Sequence, residues 1–250
     1  MSIAAEQVVT VAQGHGWRVI NGTAERALQH IGDNGIDLVF TDPPYARIDC
    51  VEHCTWMAEQ CVRALQPGGS LVTLLGQVTM PDVIMAFAQQ PAWKWRWPLC
   101  MGQTAGPHAQ LRQVGVEVYH KPALWYSRGV IPAERRHRMN IFKDAVQMPA
   151  RGAGVRKDEH PWQQSNEWSD YYIPALTFAG ETVLDPFCGS GTFLISALRA
   201  GRRCIGFDVD SAACEQTAMA LAAVEQQLRT EDAAEPVKDV DCMQVPMIGS

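Results

Sequence analysis

Ile36-Asp37-Leu38-Val39-Phe40 runs through Thr41 into Asp42-Pro43-Pro44-Tyr45. A short apolar run closed by a carboxylate and two prolines predicts a buried strand that ends in a rigid loop. The prolines fix φ and remove two backbone donors, so the loop carbonyls are left to face a ligand instead of a sheet partner. Asp42 and a loop carbonyl can then accept hydrogen bonds from an exocyclic NH2 group, while Tyr45 offers a ring face for stacking. A nucleobase has that combination of plane and amino group.

Far downstream, Thr182-Val183-Leu184-Asp185 leads into Pro186-Phe187-Cys188-Gly189-Ser190-Gly191-Thr192 and an apolar helical run. A strand, a glycine turn and a helix bring backbone close to a ligand, because residues without Cβ permit an approach that bulkier ones block. Arg203 to Phe207 predicts a further strand ending at Asp208, roughly twenty residues past the turn, where an acidic side chain suits ribose hydroxyls. A glycine turn by itself is equally at home in ordinary strand-to-helix packing. With Asp-Pro-Pro-Tyr in the same chain, the pair predicts a nucleoside cofactor beside a base-gripping loop.

Together these blocks resemble the DNA amino-methyltransferases, which use S-adenosylmethionine to methylate adenine N6 or cytosine N4. The catalytic loop comes first and the cofactor loop last, the circularly permuted order of that family's β class. The resemblance covers most of residues 18 to 210. Asn21-Gly22-Thr23 resembles the short turn ahead of the catalytic strand, and His160-Pro161-Trp162-Gln163-Gln164-Ser165 resembles the segment before the cofactor strand. Two positions depart from the pattern: Thr23 stands where the family usually carries an acid, and Gln164-Ser165 where many relatives have Lys-Pro.

The resemblance implies a Rossmann-like, doubly wound and largely parallel α/β sheet of the class I methyltransferase type, circularly permuted. It implies Asp42, Pro43, Pro44 and Tyr45 as the catalytic tetrad. It implies S-adenosylmethionine held by Asp185, Pro186, Phe187, Cys188, Gly189, Ser190, Gly191, Thr192 and Asp208, with Gln164 and Ser165. A stacked base cannot reach such a loop, so it must be flipped out of the duplex at a cost of a few kcal/mol. Adenine N6 is the expected target, since relatives with Asp at the first position mostly act on adenine and Ser there is more usual for cytosine N4. Cytosine-N4 methylation, methylation of RNA, and an idle fold retained as a DNA-binding regulator are the alternatives.

The net charge of −6 runs against DNA binding until it is divided along the chain. Residues 94–157 hold twelve Lys or Arg against three acids, a surplus of nine, which leaves −15 elsewhere. Such segregation predicts a phosphate-contacting surface on an acidic body, a target-recognition insert over 94–157. Its expected DNA contacts are Arg128, Arg135, Arg136, Arg138, Lys143, Arg151, Arg156 and Lys157.

At 250 residues the chain can bury one sizeable core, and a single domain over 1–250 is expected. No stretch has the roughly eighteen apolar residues of a membrane span, so a cytoplasmic protein without membrane contact is expected. A homodimer and a restriction-endonuclease partner stay open. Eight cysteines lack a zinc-ligand rhythm, so no metal is expected, and Cys188 reads as a small apolar filler.

Local signals complete the outline. They predict an N-terminal arm to about Gly16, a strand Trp17 to Asn21, helices over 23–31, 50–65, 81–89 and 211–229, and a strand 70–75. Trp93-Lys94-Trp95-Arg96-Trp97 predicts a strand with three indoles on its core face. Residues 98–159 read as irregular, with a hairpin around 116–127, and 231–250 as a loose acidic tail.

Overall fold

The computed structural model describes residues 8–44, 46–103, 109–111, 114–148 and 167–234. Eleven strands occur among them: β1 (Val9–Gly14), β2 (Trp17–Asn21), β3 (Ile36–Thr41), β4 (Leu65–Leu74), β5 (Trp93–Gln103), β6 (Ala109–Leu111), β7 (Val116–Val118), β8 (His120–Arg128), β9 (Ala145–Met148), β10 (Thr182–Asp185) and β11 (Arg203–Asp208). The helices are α1 (Ala24–Ala27), α2 (Arg47–Ala64), α3 (Met80–Ala88), α4 (Ala133–Arg138), α5 (Glu167–Leu176), α6 (Thr192–Arg199) and α7 (Ser211–Ala234).

Nine strands form one sheet in the order β1-β2-β11-β10-β3-β4-β8-β5-β9, and β6 with β7 form a separate hairpin. The block β2-β11-β10-β3-β4 is parallel throughout. β8 lies antiparallel between β4 and β5. Such a mostly parallel sheet must be covered on both faces, and alternation along β3 shows how. Leu38 and Phe40 face one cluster, built with α5, α6 and α7, whereas Val39 between them faces the other, built with α1, α2 and α3, which Ile36 joins ahead of an irregularity in the ladder. Phe40 is fully buried and meets Phe193 of α6 edge-on at 4.8 Å. On α2, Cys50, Cys54, Met57, Ala58 and Cys61 recur at helical spacing and are all buried.

The doubly wound parallel sheet is as expected, but several local expectations need correction. Residues 9–14 form an edge strand antiparallel to β2, because Gly16 (φ 86°) turns the chain back on itself. The helix expected over 23–31 is one short turn, Ala24–Ala27, followed by a 3-10 turn at Leu28–His30. Leu65 already pairs with Ile36, and the ladder then jumps to Leu38 against Ser70, so Pro67-Gly68-Gly69 bulges within β4 and does not precede it. No hairpin joins 116 to 127: β7 pairs with β6, while β8 enters the main sheet.

Only Trp93 of the three expected core indoles is buried; Trp95 and Trp97 are about half exposed. A register shift between Trp95 and Trp97 breaks the period-two pattern and turns Trp97 off the face that Trp93 and Trp95 share, where both meet the Tyr126 ring. Residues 94–157 are largely not an insert, since β5, β8 and β9 belong to the main sheet. At the other end, α7 extends through Ala234 into what reads as a loose tail.

Candidate active site

Ligands of open α/β sheets bind outside the carboxyl ends of the strands, where the winding reverses. Here that junction lies between β3 and β10, since β3 continues through α2 to β4 on one side and β10 through α6 to β11 on the other. Asp42 follows β3, and Asp185 and Asp208 end β10 and β11. Across the junction, the Thr41 hydroxyl donates to Asp185 Oδ1 at 2.6 Å, fastening the two strands at the floor of the site.

Above that floor lies a cleft of about 330 Å³. Asp42, Pro43 and Pro44 line one side and Pro186 with Phe187 another; Asp208, Val209 and the turn Gly22, Thr23 and Glu25 close one end. The two sequence blocks, 140 residues apart, therefore share one cavity. The Asn21 amide donates to the Asp208 and Val209 carbonyls at 3.0 Å each, which sets the Gly22 turn against the end of β11. Tyr45, Gln164 and Ser165 lie outside the described residues, as do Arg151, Arg156 and Lys157.

The glycine turn is held by its neighbours. Gly189 N–H donates to Asp208 Oδ2 at 2.8 Å, and the Thr217 hydroxyl donates to Gly189 O at 2.7 Å. Gly191 caps α6 at φ 76°, and a Cβ there would lie 2.5 Å from Thr217 Cγ2. Gly191→Ala is therefore expected to destabilise the protein by about 2–4 kcal/mol, through left-handed strain plus overpacking. Urea unfolding, read as a lowered midpoint at unchanged slope, checks it.

Asp185 is fully buried, and desolvation pushes its carboxyl up to about 7, although hydrogen bonds from Thr41 and Phe187 N–H pull the other way. Its folded value thus lies above the ordinary 3.8. Stability from this group is complete below that value and is lost as pH rises through about 7. Asp185→Asn, which keeps the acceptor oxygen, is expected to stabilise the substrate-free protein more at pH 8 than at pH 5, by about 2 kcal/mol. Urea titrations at the two pH values measure the difference; an equal effect at both would show that burial does not govern this group.

Two residues beside the candidate catalytic loop carry no signal as site residues in the sequence. His53 of α2 lines the cavity and packs its ring 4.7 Å from that of Phe187. Lys121 Nζ lies 3.0 Å from Asp42 Oδ2. Neither carries a local signal: His53 looks like any helical residue, and Lys121 meets Asp42 only through the pairing of β8 with β4 beside β3.

The expected DNA contacts are corrected in part. Arg135 forms a paired ion bridge to Glu181 at 2.5 and 2.8 Å and donates to Leu176 O at 3.1 Å. Arg128 donates to Asn34 and to Leu65 O. Arg138 stacks its guanidinium 3.9 Å over Phe178. All of these partners sit at the amino ends of the parallel strands, and Arg136 shares α4 with them, so this group lies at the opposite end from the cleft. Charge counted along the chain does not show that β8 reverses direction and carries Arg128 and α4 to the far end. Lys143 is exposed at the start of β9.

A sheet of this order, opening its cleft at that junction, places the chain among proteins with the class I methyltransferase fold. The family model described as DNA methylase, of the N6/N4 methyltransferases, matches residues 36–219, and the chain belongs to that family. Type II methyltransferase M.HpaI of Haemophilus parainfluenzae is 23% identical over 220 residues, covering 77% of this chain and 70% of the relative. M.BglII, from Bacillus subtilis, is 22% identical over 77% of this chain and 65% of its own. Among solved structures, an M1.HpyAVI–SAM complex superposes with TM-score 0.62 at 18% identity, covering 82% of this chain and 98% of that one. The cytosine-N4-specific PvuII DNA methyltransferase superposes with TM-score 0.66 at 16% identity, covering 86% and 93%.

S-adenosylmethionine is the methyl donor of this family, and the residues present suit it. Phe187 offers a ring to the cleft, Asp208 offers a carboxylate at the end of β11, and Gly189, held to that carboxylate, has open space where a Cβ would stand. Among the described residues no helix is long and apolar enough to cross a membrane.

Proposed function

We propose that this chain methylates the N6 amino group of an adenine extruded from duplex DNA. The shared cleft carries the reading: Asp42-Pro43-Pro44 lies on one wall and Phe187 and Asp208 on others. When bound there, S-adenosylmethionine supplies an electrophilic methyl on a sulfonium, so the protein needs no nucleophile of its own. The work left to the chain is to present a reluctant nitrogen, whose lone pair is delocalised into the ring.

Asp42 and the Pro43 carbonyl accept the two amino hydrogens, turning the nitrogen toward tetrahedral geometry. The carboxylate also stabilises the positive charge that develops on that nitrogen, an electrostatic contribution fixed before reaction. Asp208 receives the ribose hydroxyls of the donor, and Phe187, backed by His53, packs against its base. Tyr45 stacks on the extruded adenine, which returns roughly 1–3 kcal/mol of the extrusion cost. Lys143, Arg151, Arg156 and Lys157 remain the proposed phosphate contacts.

Adenine is favoured over cytosine by Asp at the first tetrad position, where cytosine-N4 enzymes of the family more often carry Ser. Both amino groups present the same two hydrogens, so the test is chemical. Unmethylated DNA treated with the protein and labelled S-adenosylmethionine is digested to nucleosides and separated. N6-methyladenosine as the deoxynucleoside is the expected product; N4-methylcytosine alone would replace adenine as the target. DNA binding without transfer to any polynucleotide would favour the idle regulator.

A further inference from the structure

Three carboxylates stand at the ends of neighbouring parallel strands, and two accept from a backbone N–H two residues on. Asp185 Oδ1 accepts from Phe187 N–H at 3.1 Å, and Asp208 Oδ1 accepts from Asp210 N–H at 2.9 Å, in each case two residues on. That local clamp is closed to Asp42, because the residue two positions on is Pro44 and the residue between is Pro43, neither of which has an N–H. The prolines that free the loop carbonyls for a base thus remove this one clamp from Asp42.

Lys121 brings a donor to Asp42 from another strand, β8. Its ammonium is 3.0 Å from Asp42 Oδ2, with side chains 17% and 27% exposed, so the pair is partly withdrawn from water. The backbone around Lys121 is fastened on both sides: Gln77 Nε2 donates to His120 O at 2.8 Å, and Leu75 N–H donates to Pro122 O at 3.2 Å. Ordering a lysine stem costs rotamer freedom, and clamping its base reduces what the contact itself must offset. We propose that Lys121 is a positioning residue for Asp42, reaching across the end of β4 to hold the carboxylate in the orientation that receives the target amino group. This inference rests on the methyltransferase reading above.

The test compares wild type, Lys121→Met and Lys121→Arg for label transfer to unmethylated plasmid DNA, with melting temperature and S-adenosylmethionine Kd measured alongside. Losing a charge-assisted hydrogen bond of this kind corresponds to roughly a 10–100-fold fall in kcat for Lys121→Met. Cofactor Kd and the KM for DNA are expected to stay within about threefold, since neither depends on how Asp42 is oriented. Lys121→Arg is expected to recover most of kcat, because a guanidinium reaches the same oxygen. An unchanged kcat in Lys121→Met overturns the inference while leaving the methyltransferase reading intact. A loss of kcat accompanied by an equal loss of cofactor binding, and not relieved by arginine, shows a merely structural lysine and also overturns it. A wild type that labels no DNA overturns both.

Discussion

Asp42→Ala is expected to lower kcat by about 10²–10³-fold, the scale found when one preorganised electrostatic contact to developing charge is deleted. S-adenosylmethionine Kd should change by no more than about twofold, because Asp42 meets the base side of the cleft and not the ribose end. Equilibrium binding and single-turnover transfer separate the two effects. Asp42→Asn should retain more activity than Ala, as its amide oxygen still accepts one amino hydrogen while the formal charge is gone. The variant also removes the ion pair of Asp42 with Lys121; for a pair partly withdrawn from water the stability cost is about 1–3 kcal/mol. A large fall in melting temperature would therefore mean that Asp42 supports the fold more than the chemistry.

Asp208→Ala should act on the opposite term. Its carboxylate already accepts from Gly189 N–H and Asp210 N–H, so it shapes the glycine turn and, in the proposed complex, receives the ribose. Hydrogen bonds to charged groups contribute about 1.5–3 kcal/mol each, so S-adenosylmethionine Kd should rise roughly 10–150-fold. At saturating donor, kcat should recover to near the wild-type value, since Asp208 is not among the groups that grip the base. Isothermal titration and a donor-dependence of rate measure the split. A kcat loss that saturation does not relieve would place Asp208 in the chemical step.

The contrast between these variants follows from what was readable in the chain. Both strand-to-loop junctions were legible, because apolar runs ending in Asp-Pro-Pro and Asp-Pro-Phe-Cys-Gly-Ser-Gly carry their geometry locally. Proline supplies rigidity and glycine supplies access wherever they stand. Asp208 was legible as the acid at the end of the following strand. The adjacency of β3 and β10 was not contained in either motif alone. It came from the resemblance, and physically it depends on the Thr41–Asp185 bond and on two helical layers that close opposite faces of one sheet.

What stayed hidden was everything set by register. The indole stripe of β5 reads as a flat two-residue repeat, but a bulge between Trp95 and Trp97 turns the third ring off the face of the first two, and Trp95 keeps that face with its ring about half exposed. Lys121 and Arg128 sit on the same strand, seven residues apart, and were counted as one basic surface. The strand's length separates them, so one cation reaches the catalytic carboxylate and the other ties down the Asn34 turn at the far end. A sum of charge cannot make that distinction; strand direction does.

The most direct measurement is a crystal structure with S-adenosylmethionine bound. The expected result is density for its adenosine between Phe187 and Asp208, with the sulfonium methyl turned toward Asp42. Donor bound instead in the second cavity, the apolar groove between Val78 and the hairpin residues Val116 and Tyr119, would contradict the account, because Asp42 would then have no methyl to receive the base against.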